Sequence, residues 1–154
     1  MKKIFMAAVC MVALAACGNN AKKNVQDAAE QAVESAAEVA AVDMNGEWTV
    51  AEVVGADVAK AETTPFFVID LEAKTVSGNV GCNSVNATLL LDAAKGIIGF
   101  ENAGSTRMMC ADMSVEDAML KALVDVRNFE AAEDGSVALK NAAGEKLIVL
   151  KKNQ

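Results

Sequence analysis

The stretch Ser84-Val85-Asn86-Ala87-Thr88-Leu89-Leu90-Leu91 decides the fold of this chain. Its apolar residues fall largely on odd-numbered positions, and its polar residues fall on even-numbered positions. Because successive side chains of a β-strand point to opposite faces, this alternation predicts a strand with one buried face and one solvated face. Such strands are typical of antiparallel sheets that cover a core on one side.

Similar short β-type runs lie on both sides of this stretch, separated by Gly, Asn and short polar connections. We predict further strands at residues 48–54, 66–71, 75–79, 97–101, 137–140 and 146–151. The connection Glu72-Ala73-Lys74 is short enough to make a hairpin of its two flanking strands. The predicted fold class is mainly β (α+β), a compact, curled, barrel-like antiparallel sheet with one packed helix.

The predicted helix begins near Ser114, which we expect to be its N-cap. Glu116 and Asp117 follow in the first turn, where the helix dipole favours negative charge and explains both carboxylates. One apolar stripe at helical spacing comprises Val115, Met119, Ala122, Leu123 and Val126. This stripe predicts that the helix covers one side or one open end of the sheet.

The N-terminus has the pattern of a bacterial lipoprotein signal. Lys2 and Lys3 precede an uncharged, mostly apolar run at 4–16, which is too short for a transmembrane helix, and small residues lead to Cys17. In such a signal peptide, cleavage occurs before a cysteine that carries diacylglycerol. The alternative is an ordinary secreted protein cut after Ala15. We therefore expect a signal peptide at 1–16, a lipidated tether at 17–43 and a globular domain at 44–154.

The composition of the tether and the acidic charge of the chain limit the kinds of partner that we expect. Residues 24–42 are rich in Ala and Glu and favour a partly helical, solvated spacer, although a specific partner helix is the alternative. The chain has 14 basic and 21 acidic residues, which argues against nucleic acid and against a polybasic membrane patch. Membrane attachment is expected through the lipid on Cys17. Gly18 follows it, which favours the outer membrane, and we expect the periplasmic face.

Only two cysteines remain once Cys10 has left with the signal peptide and Cys17 is acylated. In an oxidising compartment, Cys82 and Cys110 are expected to form a disulfide. Closing that loop would stabilise the fold by about 3–4 kcal/mol in the chain-entropy model. The alternative is a pair of buried, reduced cysteines that pack as small apolar residues.

Three segments together resemble the META-domain family, which includes the HslJ-like bacterial envelope lipoproteins. They are Gly46-Glu47-Trp48-Thr49-Val50, then Val76-Ser77-Gly78-Asn79-Val80-Gly81-Cys82-Asn83-Ser84-Val85-Asn86, and finally Ser105-Thr106-Arg107-Met108-Met109-Cys110. The resemblance covers about residues 44–151. It implies a barrel-like sheet with one helix and an association with envelope stress, but no catalytic mechanism. The signature positions it carries over are Gly81, Cys82, Asn83, Thr106, Met108 and Cys110.

Enzymatic chemistry finds little support in the residues. The chain has no histidine, so a Cys–His dyad, a Ser–His–Asp triad and imidazole ligation of zinc are excluded. Other serine or threonine arrangements are the open alternative, such as Ser105 or Thr106 beside Arg107, but Arg107 cannot act as a base at accessible pH. The Gly-rich turn before Asn83 lacks the Lys-Ser/Thr of a phosphate loop, and we expect Asn83 and Asn86 to bond loop backbone instead. We expect no enzyme activity, no metal and no cofactor.

Four methionines lie close to Cys110 in the sequence: Met108, Met109, Met113 and Met119. A thioether cluster could hold Cu(I), but packing of Met119 in the core with the others beside it explains them more simply. The favoured function is a non-enzymatic, lipid-anchored envelope module that binds an envelope protein or cell-wall component under stress. The alternatives are a Cu(I) or redox role and a carrier of a small apolar ligand. A barrel interior packed with Trp48, Phe67, Leu89 and Phe100 would exclude the carrier.

Overall fold

The structure, a computed structural model, describes residues 42–153. Cys17, the signal peptide and nearly all of the predicted tether lie outside the described residues. The strands are β1 (Gly46–Val53), β2 (Phe66–Asp70), β3 (Thr75–Asn79), β4 (Ser84–Asp92), β5 (Ile97–Ser105), β6 (Asn128–Ala131), β7 (Val137–Lys140) and β8 (Lys146–Lys152). The helix α1 spans Ser114–Asp125, and short 3-10 turns occupy Val58–Lys60 and Ala93–Lys95. The mainly β prediction is confirmed.

The eight strands form a closed antiparallel barrel in which each strand pairs with the next along the chain. β8 returns to β1, with Val50 opposite Leu150, so the first and last strands complete the ring. One junction is much shorter than the others, because β5 and β6 pair only at Ile97 and Asn128. Within residues 42–153, no helix combines the length and the apolar character that a membrane crossing requires.

The barrel interior is filled by side chains from the inward parity of the strands. Trp48, Phe67 and Leu89 are buried there, and the half-buried Phe100 stacks on Phe67 with 6.2 Å between ring centroids. The Trp48 indole N–H donates to the Met44 carbonyl at 2.9 Å, so this large ring keeps its hydrogen bond after burial. The four side chains whose packing would exclude a carrier therefore lie together in the barrel core, three of them buried and Phe100 half-buried.

The helix α1 packs on β1, β5 and β8 through the apolar stripe expected from the sequence. Val115, Met119 and Leu123 are all buried. The expected N-cap is wrong by one residue, because Ser114 is already helical and Met113 precedes it without a capping side chain. The physical reason is that the Asp112 carboxylate accepts the Ser114 N–H at 2.8 Å from two residues upstream.

Two further differences concern the strands after β4. β5 continues to Ser105 rather than ending at 101, because it stays paired with β4 across a bulge opposite Ala87. The sequence pattern does not predict β6. Its four residues include a single buried apolar side chain, Phe129, which gives no readable alternation.

Candidate functional site

The family signature residues meet where the turn between β3 and β4 contacts the segment leading into α1. The turn comprises Val80, Gly81, Cys82 and Asn83. Asn79 holds it together, since its Oδ1 accepts the Gly81 N–H at 2.7 Å and its Nδ2 donates to the Cys82 carbonyl at 3.3 Å. Hydrogen bonds within residues 79–82 therefore hold the turn in shape, independently of its contacts with the rest of the fold.

Gly81 allows this turn to pack closely against the helix. Its φ of +117° is a conformation that residues with a Cβ rarely adopt. A Cβ at this position would lie 3.3 Å from Val115 Cγ1 and 3.4 Å from the Ala61 side chain. The glycine is needed both for the backbone conformation and for the contact with α1.

Asn83 is completely buried and is the centre of a hydrogen-bond network, which we call the Asn83 cluster (Asn83, Thr106, Met108 and Glu116). The Asn83 Oδ1 accepts from the Thr106 hydroxyl and from the Met108 N–H, each at 2.7 Å. The Asn83 Nδ2 donates to the Met108 carbonyl at 3.0 Å and to the Glu116 carboxylate at 2.9 and 3.0 Å. The side chain thus uses both its acceptor and its donor capacity.

Glu116 joins the helix to the same cluster and is only 4% exposed. Its Oε2 also accepts the backbone N–H of Asn83 at 3.0 Å. It lies in the first turn of α1, where the helix dipole stabilises a negative charge. Through these hydrogen bonds the buried carboxyl group holds the turn against the helix.

Thr106 connects the cluster to the sheet. Its hydroxyl accepts the Ser84 N–H at 3.1 Å while it donates to Asn83, and its own N–H donates to the Ser84 carbonyl at 3.0 Å. β4 and the segment after β5 are therefore held together just beyond the last ladder pair, Val85 with Ser105.

Cys82 and Cys110 form a disulfide with their Cα atoms 6.2 Å apart. It joins the β3–β4 turn to residues 106–113, which we call the Met loop. Farther along this loop, the Ala111 N–H donates to Glu62 Oε1 at 3.1 Å. The Met loop is thus fixed through Met108, Cys110 and Ala111.

Despite these restraints, the Met loop directs two of its three methionine side chains into solvent, while Met113 is half-buried. Met109 is 95% exposed and Met108 is 59% exposed. The expectation that these two pack beside Met119 in the core is wrong, because hydrogen bonds hold the Met108 backbone against Asn83 and leave the side chains facing outward. The result is a pair of apolar groups displayed on a fixed backbone.

The structure does not gather the four methionines into one metal site. Met119 is wholly buried in the core, whereas Met109 lies almost entirely in solvent. Both thiols are consumed by the disulfide, so no thiolate is left in residues 42–153 to hold a soft metal. Among these residues, no group of three His, Cys, Asp or Glu side chains has the arrangement of a metal centre.

A family model described as META domain matches residues 40–154. No curated protein matches the chain. The match covers every strand of the barrel, the helix and all six signature positions.

Solved structures share this architecture at low sequence identity. A protein from Burkholderia xenovorans, solved by NMR, superposes with a TM-score of 0.59 at 18% identity, covering 77% of this chain and 89% of that one. A second NMR structure has a TM-score of 0.54 at 19% identity, with 70% and 88% coverage. A DUF4847 family protein from Bacteroides vulgatus reaches 0.50 at 11% identity, with 71% and 93% coverage. At these identities the likeness concerns the fold alone.

Proposed function

Because the chain belongs to the META domain family, we propose that it is a lipid-anchored, non-enzymatic binding module of the bacterial cell envelope. The observation that carries this proposal is the Met loop, in which Met108 and Met109 are exposed on a backbone that the Asn83 cluster and the disulfide hold in place. The partner we propose is an envelope protein or a cell-wall component.

A fixed loop with exposed methionines suits recognition for two physical reasons. When a mobile loop binds a partner, the loss of conformational entropy reduces the affinity. A loop already held by Asn83 and Glu62 loses little further entropy. Methionine is unbranched and polarisable, so it adapts its shape to a partner surface. The backbone supplies position and the side chains supply contact area.

The absence of enzymatic activity is part of the proposal. The buried carboxylate at the signature site, Glu116, already accepts three hydrogen bonds from Asn83. The chain has no histidine that could act as a general base. A binding role requires neither group to react.

The anchoring half of the proposal depends on Cys17 and the apolar run before it. The lipid on Cys17 would hold the protein in the outer membrane, facing the periplasm, and residues 17–43 would separate the barrel from the bilayer. Stable attachment takes more than one acyl chain, which a lipidated N-terminal cysteine provides. The acidic composition supports a partner other than nucleic acid.

The binding proposal is tested by capture from detergent-solubilised envelope, with the whole protein as bait. Met108→Ser combined with Met109→Ser should reduce recovery of the specific partner by about tenfold, since an apolar anchor at an interface contributes a large share of affinity. The matched control is Val124→Ser, which removes another exposed apolar side chain, on α1, and should retain the partner. Equal recovery by both variants would contradict a role for the Met loop.

The anchoring proposal is tested by intact-mass analysis and membrane fractionation. The wild-type protein should begin at Cys17 and carry two or three acyl chains, and Cys17→Ala should leave the membrane fraction. A molecule that still begins at Met1, or one that is trimmed without acyl groups, would overturn this part.

A further inference from the structure

We propose that Met108 and Met109 form an oxidation site, at which a peroxide converts the thioethers to sulfoxides while the barrel remains folded. The proposal deepens the proposed function, on which its regulatory consequence rests, because the modification would change the polarity of the same loop. The oxidation site itself is inferred from the solvent exposure of Met108 and Met109.

Exposure ranks the methionines of residues 42–153, with Met113 half-buried between two exposed and two buried residues. Met109 and Met108 present their sulfur-bearing side chains to solvent, whereas Met44 and Met119 are 1% and 0% exposed. Methionine oxidation follows access to the sulfur, and buried methionines react only when the surrounding structure opens. The fold therefore directs an oxidant to the Met loop before the core.

The contacts that fix the Met loop do not involve the methionine side chains. Asn83 bonds the N–H and the carbonyl of Met108, the disulfide involves Cys110, and Glu62 accepts the N–H of Ala111. A sulfoxide at Met108 or Met109 leaves each of these bonds in place. The modification changes the surface without removing an interaction that holds the loop.

The chemistry balances with one molecule of hydrogen peroxide for each methionine. The thioether sulfur attacks one peroxide oxygen, an S–O bond forms and the O–O bond breaks. The hydroxide that leaves takes the proton of the new S–OH group and becomes water, which leaves the sulfoxide. Sulfur is oxidised by two electrons and the peroxide is reduced by two. The product is reversible by enzymes of the methionine sulfoxide reductase class.

The consequence for binding follows from the change of an apolar side chain into a polar, chiral one. An anchor that enters an apolar pocket on a partner would have to lose the hydration of its new S–O group, which is costly without a hydrogen bond. Oxidised protein should therefore bind the partner of the Met loop less well. The loop becomes a contact surface that a peroxide weakens.

The oxidation site is tested on the whole purified protein with hydrogen peroxide, by site-resolved peptide mass spectrometry. Sulfoxide should accumulate at Met109 and Met108 about tenfold or more faster than at Met44 and Met119, because exposure governs access. The far-UV circular dichroism and the urea midpoint should remain unchanged at full conversion of the loop. Equal rates at Met109 and Met119, or loss of fold on conversion of the loop, would overturn the proposal.

The regulatory consequence is tested separately by repeating the partner capture with peroxide-treated protein. Wild-type recovery should fall about tenfold, whereas recovery by Met108→Leu combined with Met109→Leu should not respond to peroxide, since leucine keeps the apolar volume and has no sulfur. An equal fall in both would overturn the regulation. If the variant Met108→Ser with Met109→Ser retains the partner, the proposed function is wrong. The oxidation rates measured on the purified protein still show whether Met108 and Met109 form an oxidation site.

Discussion

The amide of Asn83 lies against the carboxylate of Glu116, 33 residues farther along the chain, with Nδ2 to oxygen distances of 2.9 and 3.0 Å. Both residues are buried, and Glu116 also accepts the Asn83 backbone N–H. This pair joins the β3–β4 turn to the first turn of α1. It links a signature residue of the sheet to the helix that covers the core.

Removing the Asn83 side chain should be strongly destabilising. Asn83→Ala leaves the buried Glu116 carboxylate and the Thr106 and Met108 groups without their partner, so we expect a loss of about 3–5 kcal/mol in the free energy of unfolding. Urea denaturation measures this change. The matched control is Asn86→Ala at an exposed position of β4, which should change stability by about 0.5 kcal/mol or less.

A double-mutant cycle checks that the cost comes from this pair. Asn83→Ala with Glu116→Ala should cost much less than the sum of the two single changes, because the second substitution removes a carboxylate that the first has left unpaired. Additive costs would show that Asn83 and Glu116 act independently.

Cys82→Ala combined with Cys110→Ala should lower the free energy of unfolding by about 3 kcal/mol, because a cross-link between residues 28 apart restricts the unfolded chain. The Asn83 cluster still holds Met108 in the variant, so we expect the native fold to persist. Urea titrations of the variant and of wild type, with and without a reductant, measure the effect. A variant whose midpoint equals that of the untreated wild type would contradict a stabilising disulfide.

Gly78→Ala should disrupt the pairing of β2 with β3. A Cβ at Gly78 would lie 2.0 Å from the Phe66 carbonyl oxygen, a backbone atom that cannot move without breaking the ladder. We expect a loss of about 3 kcal/mol or more, or insoluble protein, by analogy with other severe backbone clashes. The control is Gly99→Ala in β5, where the nearest atom is 3.8 Å away and stability should be unchanged or slightly higher.

The start of α1 should respond to acid through Asp112. The pKa of Asp112 lies below its ordinary value because Ser114 donates side-chain and backbone hydrogen bonds to the carboxylate, with a smaller contribution from the charge of Lys60. A depressed folded-state pKa means that this contribution to stability is present above the unfolded-state pKa. It is lost as the pH falls through the lower, folded-state value.

Ser114→Ala should therefore raise the pKa of Asp112 towards its ordinary value, which an NMR titration of the carboxyl carbon measures. Asp134 provides an internal control. Its pKa is lowered by hydrogen bonds from Ser136 and should not change in this variant. An unchanged Asp112 pKa would show that the Ser114 hydroxyl does not contribute.

The parts of the fold that the sequence predicts well are those where one residue pattern extends over a whole element. The alternation at 84–91 matches β4, and the stripe from Val115 to Leu123 matches the buried face of α1. β6 has no such pattern, because Phe129 is its single buried residue. Closure of the ring through β1 and β8 depends on residues about a hundred positions apart, and no local pattern carries that information.

The candidate site divides in the same way. The sequence brings Asn83, Thr106, Met108 and the two cysteines together as a motif, and the structure gathers them around one turn. The sequence does not predict the burial of Glu116. A carboxylate in the first turn of a helix is explained by the dipole alone, so nothing in its position indicates that Asn83 is its partner. The outward side chains of Met108 and Met109 likewise follow from backbone bonds rather than from composition.

The single residue pair between β5 and β6 gives the ring a weak seam. Thermal opening of the domain should start there, since parting Ile97 from Asn128 breaks far fewer hydrogen bonds than parting any longer ladder. Once the seam has opened, the molecule is an eight-stranded sheet that runs from β6 through β8 and β1 to β5. The backbone amides of β5 and β6 next to this seam should therefore be the first amides of the sheet to exchange with deuterium.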